Sequence, residues 1–168
     1  RALAWAVVAL GASYVVKQAV RYRPGRRVRV DAVADLLHRL DAGPVAGLPV
    51  EVRGRVTGRG TPGYMLSPDL VISDDSGFVP LVYTNPVPFG REWFGSVKVD
   101  RLLGRTVVAR GWYFRGPGPW IELRDLAIAD PAPGRPASAR GWDWIVRPVV
   151  GAVVLAVGVV MLAAAGMT

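Results

Sequence analysis

From Pro148 to Thr168 the chain reads PVVGAVVLAVGVVMLAAAGMT, with no charged residue. This run constrains the fold more than any other feature. A helix rises about 1.5 Å per residue, so about 20 apolar residues cross a hydrocarbon core of roughly 30 Å. A helix that is apolar all round can be buried in water only inside a larger protein, and this chain has 168 residues. Residues 145–168 are therefore expected to form a transmembrane helix. Trp142, Trp144 and Arg147 stand at its start, where aromatic rings and a snorkelling arginine anchor a span at the headgroups.

A second apolar run, Ala2 to Val16, ends at Lys17. Its basic residues follow the run rather than precede it, which is the reverse of a signal peptide. Residues 1–20 are expected to be a first transmembrane helix. Lys17, Arg21, Arg23, Arg26, Arg27 and Arg29 follow it, and Arg135, Arg140 and Arg147 precede the second span. By the positive-inside rule the middle of the chain is expected in the cytoplasm, with both termini outside. This segregation explains how a net charge of +8 coexists with a positive mean hydropathy of +0.28.

Between the spans, residues 21–48 read as a basic linker followed by a short amphipathic helix. Pro24 and Gly25 stop the first helix. Arg21, Arg23, Arg26, Arg27 and Arg29 are expected to face anionic lipid, each contributing about 1 kcal/mol near such a surface. Asp31 is placed to cap a helix running to Asp41, with Val33, Leu36, Leu37 and Leu40 on one face. His38 lies off that face and is expected to be exposed.

From Pro49 the period becomes two. Val50, Val52, Gly54 and Val56 alternate with Glu51, Arg53 and Arg55. Further strands are expected over Leu70–Ser73, Phe78–Thr84, Arg105–Phe114 and Trp120–Leu126. Asp74-Asp75-Ser76-Gly77 supplies a hairpin turn between two of them. A helix over Arg91–Leu103 is expected to bury Trp93, Phe94, Val97 and Leu102 and to end at Gly104. Five strands with a helix between the third and fourth is the order of an OB-like Greek-key barrel. Gly54 within the long first strand permits the necessary coiling. The fold class is thus mainly β: a barrel over residues 49–130, a Pro/Gly-rich linker at 131–144 and a flanking transmembrane helix on each side.

Composition removes several chemistries. With no cysteine and one histidine, there is no thiolate metal site, cysteine nucleophile or H-E-x-x-H pair. No cofactor, metal site or catalytic residue is expected. Gly58 to Gly63 matches G-x-G-x-x-G, but Pro62 interrupts it and strands surround it, so it reads as a loop. Asp74-Asp75 offers too few oxygens for a hard cation, and Asp69 and Glu122 are too isolated to form an acid/base pair.

The motifs G-R-V-x-G-R-G-x-P-G, S-P-D-L-V-x-x-D-x-S-G and G-W-Y-x-R-G-P-x-P-x-x-E-L span residues 50–126, about half the chain. In these stretches the sequence resembles the domain C-terminal to the catalytic unit of some HtpX-type zinc metallopeptidases. The resemblance implies a membrane-linked accessory domain of a proteolytic system, in a bacterial or archaeal inner membrane. That family's zinc-binding H-E-x-x-H helix has no counterpart here, so no catalytic residue carries over.

Arg53, Arg55, Arg59, Arg110, Trp112, Tyr113 and Arg115, with Tyr64, Trp120 and Arg124 nearby, form the expected binding face. Three readings follow. The preferred one is a non-catalytic, membrane-anchored accessory or scaffold domain that binds a protein partner or an anionic lipid surface. The second is the regulatory C-terminal part of a membrane zinc metallopeptidase whose catalytic domain lies upstream. The third is a membrane-tethered OB domain stacking single-stranded nucleic acid on its aromatics, which the basic membrane flanks make less favoured.

Overall fold

A computed structural model describes residues 1–60, 67, 69–85, 87–129 and 138–166. The chain begins with α1 (Ala2–Arg21) and closes with α5 (Asp143–Gly166). Both helices are long and apolar enough to cross a membrane. They pack antiparallel: Gly11 lies against the Leu155 backbone, Gly151 against Tyr14 and Val15, and Gly158 against Val7 and Val8. The buried residues of α1 are Ala4, Gly11 and Gln18, seven apart, and those of α5 are Gly151 and Gly158, also seven apart. Seven residues is nearly two helical turns, so each set forms one straight seam. Because the seam residues are mostly small, the backbones can approach closely, as in membrane helix pairs. A Cβ on Gly11 would lie 2.5 Å from the Leu155 nitrogen. Leu3, Trp5, Leu10, Val16, Val153 and Val160 point away from the pair and are exposed.

Between the helices lie β1 (Val28–Val30), α2 (Val33–Leu37), β2 (Leu48–Arg59), β3 (Leu70–Asp74), β4 (Gly77–Val82), α3 (Gly90–Val97), α4 (Val99–Leu102), β5 (Thr106–Phe114), β6 (Trp120–Ile128) and β7 (Ser138–Arg140). They form one mixed sheet ordered β1-β2-β3-β4-β6-β5, with β7 on β6 and a further pairing of β5 with β2. The pairings β2-β3, β3-β4, β4-β6, β6-β5 and β5-β2 thus follow one another around a ring. Only β4-β6 among these is parallel. The alternation in β2 sends Val50, Val52 and Val56 into the core while Arg53 and Arg55 stay outside. Ile72, Val79, Leu81, Phe94, Tyr113 and Leu126 complete that core.

The structure differs from the sequence expectations in several places. Among the described residues there are seven strands where five were expected. β1 falls in the basic stretch and pairs parallel with β2; β7 falls in the 131–144 stretch and pairs with β6. Each has three residues, too few to display a period.

Asp31 does not cap α2. The N-cap residue is Ala32, and the free N–H groups of Val33 and Ala34 donate to Asp74 Oδ2 (2.7 Å) and Ser76 Oγ (2.9 Å). The hairpin of β3 and β4 thus caps a helix 41 residues earlier. The helix stops at Leu37, so Leu40 is exposed rather than buried. The expected helix over 91–103 breaks at Lys98 into α3 and α4. The break changes the inward face: Phe94, Val99 and Leu102 are buried, whereas Trp93 and Val97 turn outward. Gly104 follows with φ +72°, the left-handed geometry that suits glycine after a helix.

Candidate functional site

The meeting point of the two helices and the sheet has a core of its own. Tyr22, Trp112 and Phe114 are buried together, with Trp120 and Trp144 packed against them. Tyr22 meets Trp112 edge-on at 5.1 Å, Trp112 lies 5.9 Å from Trp144, and Phe114 stacks on Trp120 at 5.3 Å. Such pairs favour these geometries because ring edges are positive and ring faces negative.

A charged group is set into this aromatic shell. Arg21, the last residue of α1, pairs with the buried Glu122 carboxylate of β6. The Tyr22 hydroxyl donates to the same carboxylate at 2.8 Å. The Arg21 guanidinium also lies over the Phe114 ring, 4.4 Å from its centroid. Burial raises the Tyr22 phenol far above its ordinary range, and the negative Glu122 adds to the shift. The hydroxyl therefore remains a donor at physiological pH.

Beside this junction opens a cleft of about 430 Å³, bordered by Arg23, Arg27, Pro49, Glu51, Trp112 and Arg124. Trp112 Nε1 donates to the Arg23 carbonyl at 3.4 Å and fastens the segment after α1 to the wall. Arg124 spreads over Trp144 at 4.6 Å, tying the opposite wall to the first turn of α5. Glu51 is already engaged: Arg110 donates to it at 2.6 Å and Arg29 lies 3.5 Å away. The Arg110 hydrogen bond, helped by the fields of Arg29 and Arg27, holds Glu51 below the usual carboxylate range.

The residues expected to form one binding face are distributed around the domain. Trp112 belongs to the junction and Tyr113, next in β5, to the main core; both are buried. Alternation along the strand sends them to opposite sides, and neither presents an open ring on which a base could stack. Arg59 donates to the Ser67 and Gly95 carbonyls and pairs with Asp100 at 2.7 Å, fixing α3 and α4 to the end of β2. Arg110 bridges Glu51 and Asp125 across three adjacent strands. Arg55 donates to the Gly104 carbonyl and Arg115 to that of Arg39. Arg53 is on the exposed face of β2.

The expected lipid-facing set divides as well. Arg23, Arg26 and Arg27 are exposed and Arg29 is largely so, but Arg21 is turned inward onto Glu122. His38 is exposed, and its Nδ1 donates to the Ala34 carbonyl at 2.7 Å. Of the G-x-G-x-x-G stretch, residues 61–63 lie outside the described residues, as does Tyr64. Sequence reasoning set Glu122 aside as isolated. Its only local signal was a carboxylate in WIELRDL between strand residues that face the interior.

No family model and no curated protein matches the chain. Among solved structures, the hypothetical protein ygiW from E. coli is similar over 61% of this chain and 88% of its own, at 15% identity and a TM-score of 0.38. A second, apo TiaS (tRNAIle2 agmatidine synthetase), is similar over 62% of this chain and 22% of its own, at 19% identity and a TM-score of 0.37.

Proposed function

We propose that this chain is a membrane-anchored accessory or scaffold module, in which α1 and α5 form a transmembrane hairpin carrying an OB-like domain against an anionic lipid surface. The observation that carries the reading is the outward face of the helix pair. Its buried seam consists largely of glycine and alanine, while leucine, valine and tryptophan point outward. Water would drive the reverse arrangement, and a lipid solvent favours this one. The OB-like assignment rests on the ring of pairings from β2 through β3, β4, β6 and β5, with α3 and α4 between β4 and β5.

An antiparallel hairpin puts both domain-proximal helix ends at one membrane face. Arg21, Arg23, Arg26 and Arg27 lie at that end of α1 and Arg147 near the matching end of α5, so the domain is assigned to the cytoplasmic side. The burial of Trp112 and Tyr113 favours lipid or protein contact over base stacking. The service to a membrane metallopeptidase is proposed from the resemblance of residues 50–126 alone.

Membrane fractionation of the full chain tests the anchor. The protein is expected to stay with membranes through alkaline carbonate washing and to need detergent for release. A full chain that is monomeric in detergent-free buffer would overturn the reading. Sidedness can be read by a single introduced cysteine, since the chain has none. Asp75→Cys, at the exposed tip of the β3–β4 hairpin, is expected to react with an impermeant maleimide in inverted vesicles and not in intact cells.

A further inference from the structure

We propose that the cleft between the segment after α1 and the strands β2, β5 and β6 is a binding site for a phosphate group, presented to it as the headgroup of an anionic phospholipid. This deepens the membrane reading and rests on it.

Among the described residues three arginines, Arg23, Arg27 and Arg124, border the cleft; Arg124 lies 3.9 Å from Asp125, and the lining carboxylate, Glu51, is already bound to Arg110 at 2.6 Å. The balance of charge in the cleft is therefore positive. Among the described residues Arg23 makes no ion pair. Arginine suits phosphate because its planar fork gives two parallel N–H donors and because it sheds water readily. A volume of about 430 Å³ falls at the small end of ligand pockets, enough for a headgroup.

Placement decides between lipid and other phosphates. Arg23 follows the end of α1 by two residues, which an extended chain covers in at most about 7 Å. Each headgroup layer of a bilayer is about 5–7 Å deep. The mouth of the cleft therefore lies at the level of lipid phosphates when α1 spans the core. Its walls are also built for a fixed geometry. Trp112 holds the Arg23 carbonyl, and Trp144, from the first turn of α5, lies under Arg124. A diffuse basic surface would need neither contact. The arginines that reach the cleft are not those a simple basic tail would favour: Arg26, between two of them in sequence, does not line it, and Arg21 is engaged by Glu122.

The test uses the full chain in a neutral detergent. Failure of the membrane reading would already be visible there, as a chain that needs no detergent. Short-chain phosphatidylglycerol and, separately, inorganic phosphate are titrated, and binding is followed by Trp fluorescence and native mass spectrometry. Saturable phosphatidylglycerol binding is expected. The exposed pair Arg23→Ala with Arg27→Ala should weaken it at least about tenfold, since each removes a charge-assisted contact. Arg26→Ala with Arg101→Ala, an equal charge loss outside the cleft, should weaken it less than about threefold. Arg124→Gln should reproduce the first result if its melting temperature is unchanged, and Arg124→Lys should restore it in part. Inorganic phosphate is expected to compete only at far higher concentration. Equal losses in the two double variants, or no saturation by phosphatidylglycerol, would overturn the proposal. Phosphate binding as tightly as the lipid would overturn the lipid headgroup as its source.

Discussion

The hydroxyl of Tyr22 donates to Glu122 at 2.8 Å across a separation of 100 residues. With Arg21 on the same carboxylate, this contact fixes the end of the first helix to the sixth strand. The domain is therefore held on its helix pair by a buried polar node surrounded by aromatic rings.

Loss of this node should cost more than an average side-chain change. Glu122→Gln leaves the Arg21 charge without its counterion and is expected to destabilise by about 3 kcal/mol. Tyr22→Phe removes one hydrogen bond to a charged acceptor and should cost about 1–2 kcal/mol. The double variant should cost less than the sum, because both changes act on one network. Thermal unfolding of the full chain in detergent measures all three. A neutral Glu122→Gln would show that the node carries no stability.

The helix seam gives a second expectation. A Cβ on Gly158 would lie 2.7 Å from the Val8 nitrogen, so no small shift of a side chain relieves the contact. Gly158→Leu should separate the helices and destabilise by about 1–3 kcal/mol. Val160→Leu, on the exposed side of the same helix, should be neutral. Equal melting of the two variants would contradict the seam.

Phe89 adopts φ 60° and ψ 0° as the N-cap of α3, and its side chain is 82% exposed. An L-residue in that region costs about 1–2 kcal/mol, and here little burial offsets it. Phe89→Gly is expected to raise stability by about 1 kcal/mol in denaturant or thermal unfolding. A loss would mean that the ring has a partner holding it there.

The acid limb of stability follows from three carboxylates. The Arg110 hydrogen bond lowers Glu51. At Asp74, burial acts upward, but hydrogen bonds from Ser76, Val33 and Gly77 prevail and lower it. A depressed carboxylate stabilises the fold above its unfolded value, near pH 4, and loses that contribution as pH falls through its lower folded value. Asp69 is raised by burial, against the Tyr83 N–H and Arg91, so it contributes with the opposite sign. Stability should therefore fall below about pH 4. Glu51→Gln should flatten that fall, whereas Asp69→Asn should leave it in place and remove a destabilisation that sets in as pH rises above about 4. Unfolding midpoints between about pH 3 and pH 6 decide this.

The sequence by itself determined the elements whose signal is a period or a local backbone requirement. The uncharged run after Pro148, the alternation from Val50 to Val56, the Asp74–Gly77 turn and the left-handed Gly104 were all legible, because each is set by residues a few positions apart. Tertiary structure decided what each polar or aromatic side chain meets. Trp112, Arg21 and Glu122 carry no local mark that separates a junction residue from a surface one. Nor could Asp74 be recognised as the cap of a helix 41 residues earlier. β1 and β7 were invisible because a three-residue strand exists only through its partner. Period follows from backbone geometry and is written locally. Partnership follows from which distant surfaces pack together, and only the folded chain brings Tyr22 to Glu122 and Arg23 to the same cleft as Arg124.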